Sequence, residues 1–574
     1  MLDLVLRGGM VVDGSGAPAR RGDVAVKDGR IVGVGLTPET ATRVIDVDGL
    51  VVAPGFVDIH THFDAQLSWD GTASPAPLHG TTTVVAGNCG FTIAPMEASE
   101  APFLLQMLAR VEGIPAEALE QGLDWKWRTF GEWLDRFEGH IGPNAAFLVG
   151  HSTLRRLAMG ARGSTEPASP EEIAEMERLL SQALAAGAIG FSSSRSPTHF
   201  DGDGRPVPSR LASDEELLRL AAAVGKHPGT QLQYIATAGR LGDEHIEFMS
   251  ELSRVANRPL NWNTLRVESA DQDFIKHQLR SFDFAAANGG SVFALLYPDV
   301  TRRRLFMSTG IGLTHMPEWG PVMLLAPDAR RAALREPAVR ERMRAGAASV
   351  GPRDPFLAAA RYGSYVFAET FSQENAPLLG RSVDNVAIER GADHLDVLLD
   401  AVLADDLRTG LDLASVGDDD EAWSLRAAAV KDPRTITGGS DAGAHLDIMC
   451  HANYPTVVLG EAVRERGLLT LEEAVRLMTD VPARLYGLRE RGRVEEGWQA
   501  DLVVFDPDRI ASDPAATRWD LPGGGYRLYA EAVGVAQVLV GGVAVVVEGA
   551  LTGDAPGTVL RSGVDTETVT VPGG

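Results

Sequence analysis

Residues 53–64 read APGFVDIHTHFD, an apolar, strand-like run that closes on two histidines one residue apart. Side chains two apart on an extended strand share a face, so His60 and His62 are predicted to aim at one point. A histidine at a strand end ordinarily just bonds to a neighbouring loop. That explanation suits one imidazole better than a same-face pair flanked by Asp58 and Asp64. Imidazole is the commonest neutral metal ligand among side chains, which makes the pair a candidate metal site.

Working outward from this stretch, strand-like runs alternate with helical ones from Pro54 to about Leu488. The strand candidates, in order, are GFVDIHTH, TTTVVAGN, AAFLVGH, AIGFSSS, QLQYIAT, PLNWNTL, SVFALL and RTITGGSD. Between them PEEIAEMERLLSQALAAG and SDEELLRLAAAVGK repeat apolar residues at three- and four-residue spacing, with Ser or Pro at the start. Eight strands with intervening helices predict an α/β fold, a (β/α)8 barrel whose chemistry sits at the C-terminal ends of its strands. His60 and His62 fall at the end of the first.

The ends of the chain differ. From Leu2 to Val52 short β-rich runs are broken by Gly and Asp turns, and similar runs return at 500–507, 535–547 and 557–563. One β-sandwich built from both termini is the simplest organisation: residues 1–54 and 485–574, with the barrel at 55–484. The segment at about 297–420 is too long for a plain loop and is expected to be a helical insertion over the barrel mouth.

A chain of 574 residues exceeds what one hydrophobic core usually supports. Its formal charge is −25, from 78 acidic against 53 basic residues. That balance disfavours nucleic acid and anionic membrane, which need a basic surface, and favours a small-molecule substrate. Homo-oligomerisation is compatible with the composition. Met1 leads into DLVLRGGMVVDG without a basic leader and apolar core, and no run of some 18 apolar residues occurs, so a soluble cytoplasmic protein is expected. Two cysteines, Cys89 and Cys450, are too few for a disulfide framework.

Three more motifs fall at predicted strand ends. GNCGFTIAP puts Cys89 in a Gly-rich turn, VGHSTLRR puts His151 and Arg155 after the third strand, and ITGGSDAGAH puts Asp441 after the eighth. A free cysteine is ordinarily a small buried hydrophobe, but one between two glycines at a strand end reads as a ligand. Imidazole, thiolate and carboxylate together favour Zn, because Mg and Ca prefer all-oxygen shells. Asp441 reads as a catalytic carboxylate rather than a turn cap.

The run VVAPGFVDIHTHFD, the later GSD and the terminal RGRVEEGWQADLVVFDP resemble the amidohydrolase superfamily, metal-dependent hydrolases on a distorted (β/α)8 barrel. More narrowly, GNCGFTIAP, VGHSTLRR, AIGFSSS and EEAVRLMTDVPARLYGL resemble its D-aminoacylase, or N-acyl-D-amino-acid deacylase, branch. The resemblance covers nearly the whole chain except the insertion. It implies a Zn enzyme that removes the acyl group from an N-acyl-D-amino acid. It also implies that the histidine pair, a cysteine replacing the bridging lysine of other branches, and the strand-eight aspartate hold metal; these match His60, His62, Cys89 and Asp441. Asp441 would take the proton of a metal-activated water and pass it to the leaving amine, with His151 beside it in the site. Arg266, Arg195 and Ser193, after the sixth strand and in or after the fourth, are candidate substrate-binding residues, guanidinium being suited to a carboxylate.

The chain departs from the branch in one respect. The branch usually offers two more metal histidines at the ends of strands five and six, and here those ends read QYIATAG (233–239) and NWNTLRVE (261–268). Tyr234, Thr237, Asn263 and Thr264 are neutral and weak for Zn, and His199 and His245 are set aside as replacements. One Zn, held by His60, His62 and Asp441 with Cys89 as fourth ligand or close neighbour, is therefore expected. Two alternatives stay open: the same water attacking a cyclic amide, carbamate or lactone, and a catalytically silent barrel serving as an assembly subunit.

Overall fold

The computed structural model describes residues 1–36, 40–351, 354, 356–415 and 417–571. Eight parallel strands form the central sheet: Phe56–Asp58, Thr81–Ala86, Asn144–Gly150, Gly190–Ser194, Gln231–Ile235, Leu260–Trp262, Val292–Leu296 and Thr435–Thr437. They follow one another in chain order, as the alternating pattern predicts. TTTVVA and NAAFLVG are buried at every position. Such runs suit a parallel sheet covered on both faces. The helices Pro170–Ala185 and Asp214–Gly225 start at Ser169 and Ser213, whose side chains accept the backbone N–H of Glu172 and Glu216.

The first strand is shorter than GFVDIHTH suggested, because its ladder ends at Asp58. Beyond it the chain hydrogen-bonds to both neighbours and closes the barrel. Asp441 N donates to His60 O (3.1 Å) and His62 N to Ala442 O (2.7 Å), while Thr61 N between them donates to Val85 O (3.0 Å). The bonds alternate between the eighth and second strands, so the histidines are tied to the segment that carries Asp441. Asp58 reinforces this closure by accepting from the backbone N–H of His60, Gly439 and Ser440.

Both termini build the small β-sandwich. Val51–Pro54 pairs antiparallel with Leu502–Phe505 in the middle of a nine-stranded sheet, and Leu4, Leu6, Val24, Val52, Leu502 and Val504 share one apolar layer. The sandwich passes into the barrel at Gly55, where a Cβ would lie 2.1 Å from Thr82 Oγ1. Residues 557–563 do not join the sandwich as their pattern suggested. Leu560 N donates to Ala145 O (2.8 Å), and Leu560 packs with Val57, Val85, Leu148, Leu295 and Ile436 of the barrel. Burial of this leucine draws the tail across the barrel.

The insertion has its own hydrophobic core, including Trp319, Leu334, Leu398 and Leu411, and combines helices with a three-stranded antiparallel sheet of Arg304–Leu305, Val366–Glu369 and Gly410–Asp412. It meets the loop after the eighth strand where Arg304 N donates to Ile448 O (2.7 Å). Among the described residues, no helix is long and apolar enough to cross a membrane.

Candidate metal centre

The turn after the second barrel strand carries Cys89 inward. Gly87 begins it at φ 81°, and a Cβ there would meet Leu148 O at 2.3 Å. Cys89 itself sits at φ 58° and Asp441 at φ 53°, a left-handed conformation costing about 1–3 kcal/mol for a residue with a side chain. Two strained residues meeting at one cavity mark a site that the surrounding structure holds in place. Gln233 of the fifth strand accepts the Cys89 N–H at 2.8 Å and steadies the turn.

Three donors cluster there, with the Asp441 carboxylate on the two imidazoles. Cys89 Sγ lies 3.3 Å from His60 Nε2 and 3.7 Å from His62 Nε2. Asp441 Oδ1 lies 3.1 Å and 3.6 Å from the same two nitrogens. Zn bonds of about 2.0–2.3 Å set tetrahedral donors roughly 3.3–3.7 Å apart, the spacing that the Cys89 thiol keeps to both imidazoles, while Asp441 stands beside the imidazoles and outside this group of three. The donor set, two imidazoles with a thiol and a carboxylate, is the chemistry Zn prefers. His60, His62 and Cys89 form the one group of three or more His, Cys, Asp or Glu donors within 4.8 Å of one another among the described residues.

The electrostatics attract a cation. Burial alone would depress His60, yet Cys89 and Asp441 raise it to about 9. His62 is likewise raised well above its ordinary value against the effect of burial, by Glu112 and Cys89. Burial would raise Asp441, but hydrogen bonds from His60 and His62 outweigh it and hold the carboxyl well below the usual range. The cluster favours positive charge.

Around the donors the pocket is lined by Glu112, His199, Thr237, Trp262, Asn263, Arg266, Tyr297 and His445, among others. Tyr297 donates its hydroxyl to Asp441 Oδ2 at 2.8 Å. Burial pushes His199 down to about 3, and its Nδ1 meets Ser194 Oγ at 2.9 Å, so a neutral ring faces the cavity. Arg266 reaches the pocket with Nη2 on Ala238 O.

Of the residues singled out from sequence, His60, His62, Cys89, Asp441 and Arg266 meet in this pocket. His151, Ser193 and Arg195 do not. His151 is fully buried, with Nδ1 on Ser193 Oγ (2.8 Å) and Nε2 on Glu216 (2.7 Å), and Glu216 also pairs with the fully buried Arg155. Both ring nitrogens are occupied, because His151 opens the helix His151–Met159 and turns toward the helix bearing Glu216. Arg195 pairs with Asp214 (2.6 Å) and lies over the Phe248 ring. His245 serves its own helix, accepting the Gly242 N–H through Nδ1 (2.9 Å).

Sequence reasoning missed Tyr297, Glu112 and His445, and set aside His199, which lines the pocket. Tyr297 had a readable signal, since it directly follows the seventh strand. Glu112 follows the helix Ala101–Val111, and its carbonyl accepts the His445 N–H; no local pattern announces that meeting.

The amidohydrolase family model matches residues 43–370 and 408–546. The D-aminoacylase of Alcaligenes xylosoxydans xylosoxydans is 30% identical over 564 residues, covering 97% of both chains. A D-aminoacylase structure described through its binuclear metal centre, with one-metal activation and second-metal attenuation, superposes with TM-score 0.65 at 28% identity, over 98% of this chain and 100% of that one. The N-acyl-D-glutamate deacylase from Bordetella bronchiseptica, complexed with zinc and a phosphonate mimic of the tetrahedral intermediate, gives 0.62 at 26% identity with the same coverage. A family match over most of the chain, together with 30% identity along 97% of it, places this protein in the amidohydrolase family.

Proposed function

We propose that this protein hydrolyses the amide bond of an N-acyl-D-amino acid, with a single zinc ion held by His60, His62 and Asp441 and with Cys89 as a close neighbour, which leaves a position open for water. The observation that carries the reading is that Cys89 Sγ and Asp441 Oδ1 each approach both His60 Nε2 and His62 Nε2, beside a pocket that also receives Arg266. A bound zinc ion would supply Lewis-acid polarisation and a water acidified toward neutral pH.

The chain's own residues do the rest. Tyr297 fixes Asp441 by donating to Oδ2. The carboxylate is thereby oriented to take a proton from the attacking water and return it to the departing amine nitrogen. Arg266 has no carboxylate ion-pair partner among the described residues, which leaves its guanidinium to receive the substrate's carboxylate.

A single ion is supported by the ends of the fifth and sixth strands, where Thr237, Asn263 and Thr264 line the pocket in place of histidines. The relative with a binuclear centre is described with one-metal activation, which is consistent with chemistry on one ion. The test is elemental analysis of protein purified without chelator, beside amine release from a panel of N-acetyl-D- and N-acetyl-L-amino acids. One Zn per chain with turnover of the D series is expected. Two full-occupancy ions would refute the single-ion reading, and turnover confined to cyclic amides would refute the substrate class.

A further inference from the structure

Successive side chains of a strand face opposite ways, and the fourth barrel strand puts this to use. Ser193 turns to His151, while the fully buried Ser192 turns to the loop that carries Cys89. The Ser192 hydroxyl donates to Gly87 O (2.5 Å) and accepts the Gly90 N–H (3.0 Å), one bond on each side of the cysteine. Between them Gln233 Oε1 accepts the Cys89 N–H. Asn88 donates its side-chain amide to the carbonyls of Thr61 (3.3 Å) and Val85 (3.0 Å), and Thr61 stands between His60 and His62. The turn is thereby tied to the fourth strand, the fifth strand and the histidine segment at once. This anchoring meets a local strain. Cys89 holds φ 58° between Gly87 at 81° and Gly90 at 83°, and a residue with a side chain stays left-handed only where its surroundings over-determine it. A relaxed φ at Cys89 would redirect its Cβ and draw Sγ away from the two Nε2 atoms that it approaches at 3.3 and 3.7 Å.

We infer that Ser192 is a positioning residue that clamps Gly87 and Gly90 and, with Gln233 and Asn88, keeps Cys89 in its left-handed conformation with the thiol aimed at His60 and His62. The clamp stands on these hydrogen bonds, and its effect on metal binding rests on the zinc reading above.

The test uses the metal-free full-length protein and the rate at which iodoacetamide alkylates Cys89, followed by peptide mass spectrometry. Cys450, the other cysteine of the chain, reports general loosening in the same molecules. Ser192→Ala leaves buried backbone groups of Gly87 and Gly90 without this partner and is expected to speed Cys89 alkylation about 10-fold or more with Cys450 unchanged. Gln233→Met removes the acceptor of the Cys89 N–H and should act in the same direction, which keeps the test open if Ser192→Ala does not fold. Gln233→Glu keeps that acceptor and gives up only an Nε2 that has no partner, so Cys89 should react no faster than in wild type. Cobalt affinity, titrated against a competing chelator, should fall about 10-fold or more in Ser192→Ala and Gln233→Met. A Cys89 rate unchanged in both variants, a rise shared equally by Cys450, or Gln233→Glu matching Gln233→Met would overturn the inference. A wild-type protein that takes up no cobalt would refute the metal reading and leave the clamp to be decided by the alkylation rates.

Discussion

Replacing Asp441 by Asn isolates proton transfer from metal binding and folding. Asp441 sits at φ 53°, and Asn tolerates that left-handed conformation better than other non-glycine residues, so the substitution adds little backbone strain where Ala would add more. An amide oxygen can still face His60 and His62, and His60, His62 and Cys89 remain as donors, so most of the metal should stay. The variant loses the ability to accept the water's proton. General acid–base catalysis contributes about 10²- to 10⁴-fold. At about 1.36 kcal/mol per decade this is roughly 3–5 kcal/mol of barrier. The expected outcome is a kcat reduced at least about 100-fold on an N-acetyl-D-amino acid, with zinc content near that of wild type and an unchanged melting temperature. A kcat within about threefold of wild type at full metal content would remove Asp441 from proton transfer.

Arg266→Ala should raise KM for an N-acyl amino acid about 10- to 100-fold, since a hydrogen bond to a charged group contributes about 1.5–3 kcal/mol, and should leave kcat nearly unchanged; an unaltered KM would mean that the substrate carboxylate binds elsewhere. Glu216→Leu leaves the buried Arg155 guanidinium without its counter-charge and should cost about 3–5 kcal/mol in a denaturant titration, with normal kcat at temperatures where it is folded. A loss of kcat without a loss of stability would return His151 to the chemistry. Burial lowers His79 from 6.5 to about 4, and its ring bridges Thr456 and Ala530. Below pH 6.5 the unfolded chain therefore binds a proton that the folded one refuses, so this contribution is full above 6.5 and falls away toward 4, by about 2 kcal/mol at pH 5. The stability advantage of wild type over a His79→Gln variant should shrink by that amount between pH 7 and pH 5, and a constant advantage would contradict the assignment.

Much of this protein was determined locally. TTTVVA and NAAFLVG announce strands covered on both faces, because such strands must be apolar throughout, and Ser169 and Ser213 announce helices through caps that act within one turn. That four residues line one pocket was legible for the same reason: His60, His62, Cys89 and Asp441 each stand just past a strand, and a barrel of this kind gathers such positions at one end. Tertiary structure decided what strand ends do not reveal. His151 has the same local setting as Asp441, yet packing against the helix that carries Glu216 uses both its nitrogens. Glu112 reaches His62 only because the helix Ala101–Val111 is docked beside the eighth-strand loop. The tail at 557–563 has strand-like composition, but Leu560 finds its apolar neighbours in the barrel rather than in the sandwich. Periodicity and capping report whether a residue is buried and which way its own backbone runs. Which partner a buried polar atom meets depends on elements far apart in the chain, and there the cost of leaving that atom unpaired selects the arrangement.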